Sequence, residues 1–374
     1  MTAPTGTTDR TATTDRTAMT DRTADLCELR AFALLHATAQ GISAERACTI
    51  LTRVTDPGGT GPGSWARVWL AEGDELTAQG RHLEACAHYA MARFPCPDGP
   101  ADTPRRLAQR RCVAAFDRWR TAQRQPVGRL EIPFQGGTVR CWTAGLSEAR
   151  PRPLLVVTGG IVSVKEQWAP LLAHADALGV AVAVTELPGV GENTARYGPH
   201  SPRMISALLD ALDGRADVRR TAAVALSFGG HLALRCALTD SRLVTVATVG
   251  APVSLFFTDR TRHLPRVTLA ALAHTTGVRP SHVLRHLRDW ALRPDELAGL
   301  RTPVHYVAAL RDEIVPFEEA DVLRAAGVPG ETTVLDDVHG APGHVDRTRA
   351  VLLGAALDAL GRPAPHAPAA RQTP

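Results

Sequence analysis

A serine, an aspartate and a histidine lie far apart in this 374-residue chain, each just after a run that reads as a strand. Ser227 follows Thr221 to Ala225, five small or β-branched residues suited to a strand covered on both faces of a parallel sheet. A run that reads as helix begins at His231. Strand, abrupt turn, serine and helix together expose a hydroxyl above a sheet edge. The residues two before and two after such a serine must be small, or the two backbones collide; here they are Ala225 and Gly229. The turn leaves the Phe228 N–H free to meet an oxyanion. Gly159-Gly160-Ile161, after an earlier strand, offers a second donor from Gly160 or Ile161.

Asp312 comes just after the apolar run Val304 to Ala308, where a carboxylate can hold an imidazole in one tautomer and offset its charge. Glu313 and Asp259 are its weaker rivals. His339 follows a last short strand, Thr332 to Leu335, and the order Ser, Asp, His is the one expected for a nucleophile on an α/β sheet. His344, five residues on, competes for the imidazole role. The remaining histidines, His36 and His231 among them, read as surface, capping or core groups. No pair of them has the spacing of a metal site, and no organic cofactor is implied.

These groups need a scaffold. Residues 1–24 repeat Thr-Asp-Arg-Thr-Ala at Thr8, Thr14 and Thr20 and read as a disordered leader. Residues 25–125 have helical periodicity and form an α-helical N-terminal region or cap. Its parts are a first helix through Leu26, Leu29, Phe32 and Leu35, a short one from Ile42 to Val54, then Glu75 to Arg93 and Arg105 to Arg120. The Gly-rich stretch Gly58 to Gly63 follows no strand and lacks a lysine, so it is a connector and not a phosphate loop. At Pro126 the period changes. A hairpin turning at Gly136-Gly137 leads into strands at Pro153 to Thr158, Val180 to Thr185, Thr221 to Ala225, Leu243 to Val249 and Val304 to Ala308. Strands alternating with helices over 126–361 predict a mostly parallel, doubly wound α/β sheet with a helical insertion at about 255–300. Residues 362–374, rich in Pro and Ala, read as a disordered tail. The insertion and a neighbouring loop supply apolar pocket walls: Trp168, Phe256, Phe257 and Trp290.

Bulk composition narrows the partners. The formal charge is +4, and the arginines are scattered and not gathered in a stripe with aromatics, which argues against nucleic acid. Seven dispersed cysteines without a CxxC pair fit reduced thiols in a cytoplasmic protein. No apolar run approaches the roughly 18 residues of a membrane span. A small-molecule substrate is the expected partner, with no membrane.

The helical region ending Trp119-Arg120, Thr158-Gly159-Gly160 with Lys165-Glu166, Leu187-Pro188-Gly189-Val190-Gly191-Glu192, the Ser227 turn and Asp312 with His339 together resemble the FrsA-like α/β-hydrolases. The resemblance covers about residues 75–360 and implies an α/β-hydrolase fold. It also implies a Ser227–Asp312–His339 triad, an oxyanion hole near Gly160, Ile161 and Phe228, and a homodimer formed through the helical layer. Val162 stands where the family often has Asp, and Ala225 where it has Gly. Relatives cleave esters or carbon–carbon bonds beside a ketone. The expected activity is therefore serine-dependent hydrolysis of an ester or β-diketone-type bond in an apolar, polyketide-like metabolite. The rival expectation is an eliminase of the same fold that expels a carboxylic acid such as acetate.

Overall fold

Six apolar runs pair side by side as parallel strands, and the antiparallel hairpin joins one edge of the same sheet. The computed structural model describes residues 25–97, 103–259 and 263–363. The Thr-Asp-Arg repeat and nearly all of the Pro/Ala tail lie outside them. The strands are β1 (Val127–Phe134), β2 (Gly137–Ala144), β3 (Pro153–Thr158), β4 (Ala181–Thr185), β5 (Asp217–Ala225), β6 (Leu243–Val249), β7 (Val304–Ala309) and β8 (Gly330–Leu335). Their spatial order is β1-β2-β4-β3-β5-β6-β7-β8. The pairs β1–β2 and β2–β4 are antiparallel and the rest are parallel. This is the mostly parallel sheet of an α/β-hydrolase. Every residue of β3 and β4 is buried, as strands covered on both faces must be.

From β3 the chain steps outward to β4 on one side, then returns to lay β5 on the other. That reversal opens a crevice beyond the carboxyl ends of β3 and β5, where ligands of open α/β sheets bind. The hairpin turn is one residue earlier than expected. Gln135 and Gly136, at φ 48° and 74°, form the two-residue loop, and Gly137 already pairs with Phe134. Positive φ at both central residues matches the strand twist, which the sequence reading missed by choosing the double glycine.

The helices follow the chain as α1 (residues 25–39), α2 (Ala44–Thr52), α3 (Trp65–Ala78), α4 (His82–Arg93) and α5 (Pro104–Thr121) before the sheet. Within it come α6 (Ala175–Leu178), α7 (Arg203–Leu212), α8 (Phe228–Ala237), α9 (Leu255–Thr258), α10 (Arg266–Thr276), α11 (Pro280–Leu287), α12 (Pro294–Gly299), α13 (Glu319–Ala325) and α14 (Val345–Ala359). One expected helix is two. The predicted Glu75 to Arg93 segment breaks at Gly80, whose φ is 74°. There the Gly80 N–H bonds to Thr77 O at 3.0 Å and the Arg81 N–H to Leu76 O at 2.9 Å, the paired bonds of a helix that ends on glycine. α3 in turn begins ten residues earlier, after Ser64.

The helical region is seated on the sheet through aromatic and ionic contacts. Phe116 of α5 lies 5.0 Å from the Trp142 ring of β2, and the Arg120 guanidinium lies 5.2 Å from that ring's centre. Trp142 Nε1 donates to Glu166 Oε1 at 2.9 Å. Glu166 belongs to a cluster around Lys165, the chain's single lysine, in which Lys165, Glu166 and Glu186 are fully buried and Glu192 is partly exposed. Lys165 Nζ meets Glu166 Oε1 at 2.8 Å, Glu186 Oε1 at 3.2 Å and Glu192 Oε2 at 2.7 Å. Burial disfavours the charged amine, and the three carboxylates more than offset it, holding the ammonium well above its ordinary range. Glu186 also accepts the backbone N–H of Lys165 at 2.9 Å and of Glu192 at 2.7 Å, so one carboxylate ties together the loops after β3 and β4. Lys165→Met strands these buried carboxylates without their cation. A loss of about 3–5 kcal/mol in a urea titration is expected.

Candidate active site

The backbone bends sharply at Ser227. Its φ of 53° and ψ of −126° are unusual for a residue other than glycine. Four backbone bonds hold it there. Leu226 N donates to Thr158 O at 3.0 Å, Ser227 N to Val249 O at 2.9 Å, Gly229 N to Leu226 O at 2.9 Å and Gly230 N to Ser227 O at 2.8 Å. Phe228 is the first residue of α8, so its N–H has no preceding turn to bond into. A Cβ on Gly229 would come within 2.5 Å of the Gly159 carbonyl oxygen, so α8 can pass the end of β3 only with no side chain there. Ala225, where the family often has glycine, is fully buried in β5.

His339 lies on the loop after β8, and its Nε2 is 3.0 Å from Ser227 Oγ. Its Nδ1 is 2.8 Å and 3.0 Å from the two oxygens of Asp312, on the loop after β7. A carboxylate only accepts, so the proton sits on Nδ1, Nε2 accepts, and the Ser227 hydroxyl donates. Asp312 is 2% exposed. Its Oδ1 also takes the N–H groups of Ile314 at 2.9 Å and Val315 at 2.7 Å, which fix its plane. The rivals stand elsewhere. His344 Nδ1 pairs with Asp337 Oδ2 at 3.0 Å, and Glu313 Oε2 accepts the His339 backbone N–H at 3.0 Å, bracing the loop without touching the ring.

Gly250 also belongs to this arrangement, and the sequence reading passed over it. Its φ is 58°, and a Cβ there would lie 2.9 Å from His339 Cε1 and 3.2 Å from Asp312 Oδ2. It clears the floor beneath the imidazole. Its signal was a glycine closing a buried strand at the same sheet edge as Ser227.

A cavity of about 130 Å³ opens over these groups. Gly160, Ile161, Phe228, Ser227 and His339 line it, so the candidate oxyanion donors and the hydroxyl share one space. Of the four expected pocket walls only Trp168 lines it. Phe256 and Phe257 instead pack under the elbow with ring centres 5.2 Å and 6.4 Å from Phe228, and Trp290 packs on Tyr197 at 4.9 Å. Their apolar character is spent beneath α8, and the sequence could show that they are buried but not on which side. The missing wall comes from α1, whose Phe32, Leu35, His36 and Ala39 face the cavity together with Gln40, just past its end, and Phe94. Arg93 of α4, 1% exposed, donates to Val162 O at 2.7 Å and so ties the loop after β3 to the helical region. Among the described residues no group of three or more His, Cys, Asp or Glu could hold a metal ion, and no helix is long and apolar enough to cross a membrane.

His231, behind the elbow, bonds through Nδ1 to Pro252 O at 3.0 Å and stacks on Phe257. Burial, with help from Arg235, lowers its pKa from 6.5 to about 3. The unfolded chain therefore binds a proton at pH values where the folded chain refuses it, and stability is lost as pH falls from about 6.5 towards 3. Between pH 7 and pH 5 this imidazole alone accounts for a drop of about 2 kcal/mol. Urea midpoints for wild type and His231→Asn at the two pH values check it, since the variant lacks that component. Gly250→Ala is expected to keep the fold but displace His339, lowering turnover at least tenfold with a circular-dichroism spectrum like that of wild type.

No protein-family model matches this chain. Individual proteins do. The solved structure of AbyA5 is 47% identical, covers 84% of this chain and 94% of its own, and superposes with a TM-score of 0.80; a wild-type AbyA5 structure gives 0.86 over 90% and 95%. The structure of 2,6-dihydroxy-pseudo-oxynicotine hydrolase shares the fold at 20% identity and a TM-score of 0.64, over 86% of this chain and 96% of its own. Esterase FrsA of Escherichia coli O81 (strain ED1a) is 25% identical over 283 residues, 71% of this chain and 67% of its own. The 2,6-dihydropseudooxynicotine hydrolase of Paenarthrobacter nicotinovorans is 22% identical over 280 residues, 70% and 74%. With an eight-stranded, mostly parallel sheet and these relatives, the chain belongs to the FrsA-like family of α/β-hydrolase enzymes.

Proposed function

We propose that this enzyme uses Ser227 as a nucleophile to hydrolyse an ester or β-diketone-type bond in an apolar, polyketide-like small molecule. The observation that carries this reading is the unbroken chain of bonds from Asp312 through His339 to Ser227 Oγ, at 2.8 Å and 3.0 Å, opening into a cavity. In the first step the Ser227 proton passes to His339 Nε2 while Oγ bonds to the substrate carbonyl carbon. The negative charge on the carbonyl oxygen is met by the Phe228 N–H and by that of Gly160 or Ile161. One such donor is worth roughly 2.7–4 kcal/mol of barrier. His339 then gives its proton to the departing alkoxide or enolate as the bond breaks. Water, deprotonated by the same imidazole, releases the acyl group and restores the serine. Asp312 stays ionised and stabilises the imidazolium that forms twice in the cycle.

The walls support an apolar substrate, since Phe32, Leu35, Phe94, Ile161 and Ile314 surround the hydroxyl. Its polyketide-like character rests on the family resemblance. A second reading uses the same pair of groups: an imidazole within 3.0 Å of a hydroxyl can remove a proton beside a carbonyl and expel a carboxylic acid, with no acyl-enzyme. The covering of the site by α1 favours keeping this reading, because elimination consumes no water.

A fluorophosphonate should label Ser227 of the folded protein, and Ser227→Ala should lower turnover by on the order of 10⁴-fold or more. A folded wild type that takes no label at Ser227 sinks the nucleophile. Turnover in ¹⁸O-water separates the two readings, because hydrolysis places the heavy atom in a product and elimination leaves both products unlabelled.

A further inference from the structure

Four residues of α1, at positions 32, 35, 36 and 39, and Gln40 just past its end face the cavity, the spacing of one helical face. Three of them are apolar, and two are His36 and Gln40. The Gln40 Nε2 donates to His36 O at 3.2 Å and contacts Met91 Sδ at 3.2 Å, which leaves its Oε1 buried without a partner among the described residues. Gln167, on the facing loop, also lines the cavity, its Oε1 buried without a protein partner, and both glutamines border a smaller neighbouring pocket as well. Two such amide oxygens beside one apolar cavity need water or a ligand to meet them, since an unmet one costs about 1–3 kcal/mol in mutational data. His36 is stacked on Phe94 at 4.8 Å. Burial, with His339 and Arg93 nearby, lowers its pKa to about 4, so near neutral pH the ring is uncharged and presents one donor and one acceptor.

We propose that His36, Gln40 and Gln167 form an oxygen-recognition subsite in the roof of the cavity, which binds a neutral hydroxyl group of the substrate apart from the carbonyl that Ser227 attacks. The subsite rests on the function proposed above in that both use the same cavity. Charge on the walls selects the ligand class. Among the described lining residues there is no arginine or lysine, and the one acidic side chain is Glu313, so an anionic group would meet no basic side chain on those walls. A hydroxyl donates its one proton to one of the amide oxygens and accepts from the imidazole N–H, which a keto group, an acceptor only, cannot do. The substrate is thus oxygenated at two separated carbons, an apolar skeleton with one oxygen function at the serine and another under α1.

Ser227→Ala protein with ¹³C/¹⁵N-labelled histidine allows the subsite to be read without turnover. Ethyl 3-hydroxybutyrate should shift the His36 ring resonances, assigned with His36→Phe, and bind at least fivefold more tightly than ethyl butyrate. The preference should vanish in His36→Phe and weaken in Gln167→Leu, the latter serving if the former does not fold. Equal binding of the two esters, a preference that survives both variants, or tighter binding of ethyl 3-aminobutyrate would overturn the subsite. Fluorophosphonate labelling keeps the two proposals apart. Label on Ser227 with no ester preference removes the subsite alone, whereas a preference in the alanine variant with no label on the wild type removes the nucleophile alone.

Discussion

The strained turn at Ser227 is the constraint on which the rest of the site depends. A non-glycine residue held at positive φ costs on the order of 1–3 kcal/mol and persists only where its surroundings over-determine it. Here they do so from two strands and a helix. β3 receives the Leu226 N–H through Thr158 O, β6 receives the Ser227 N–H through Val249 O, and α8 is pressed so close to the end of β3 that Gly229 has no room for a side chain. Phe228, 0% exposed and edge-on to Phe256, anchors the first turn of the helix. The hydroxyl therefore needs no rotation of the backbone to reach the crevice. Its position is fixed before any ligand arrives, and the imidazole is brought to it by a loop braced through Glu313 and by a floor cleared at Gly250.

The same logic explains why the helical region cannot be a mere appendage. The loop carrying Gly160 and Ile161 leaves β3 and would be free to move if only the sheet held it. Arg93 holds its Val162 carbonyl from the helical side, and Lys165, four residues past Ile161, is locked among three carboxylates from the loops after β3 and β4. Burying a lone ammonium would be prohibitive, and burying it among carboxylates that also accept backbone N–H groups fixes the register of both loops. One arginine and one lysine thus connect α4, the hairpin and two strand ends to a single cavity wall.

Much of this was legible in the sequence, for a physical reason. Strands buried on both faces must be continuous apolar runs, so β3, β4, β6 and β7 stand out in the sequence to within a residue or so; Asp312 follows β7, and Ser227 and His339 follow β5 and β8. Local chemistry also separated His339 from His344 by its distance from a strand end. What failed were statements about which side a buried group faces. Phe256, Phe257 and Trp290 have the composition of a pocket wall, and a helix packed on an elbow needs the same composition beneath it. Glycine at the end of a helix was overlooked at Gly80, where amphipathic periodicity ran through the break.

The place of His36 could not be read from the sequence for a deeper reason. On α1 its neighbours Phe32, Leu35 and Ala39 form an ordinary apolar face, and a histidine on such a face is most often a core or capping group. Nothing local distinguishes it. Its surroundings are the facing wall from Gly160 to Pro342, distant in sequence, that α1 covers, together with Gln40 and Gln167, whose side chains line the same cavity. For a helix that covers the Ser227 hydroxyl, an entirely apolar face would have been simpler to bury. Polar groups retained there against that cost are explained when the molecule that fills the cavity brings the matching donors and acceptors with it.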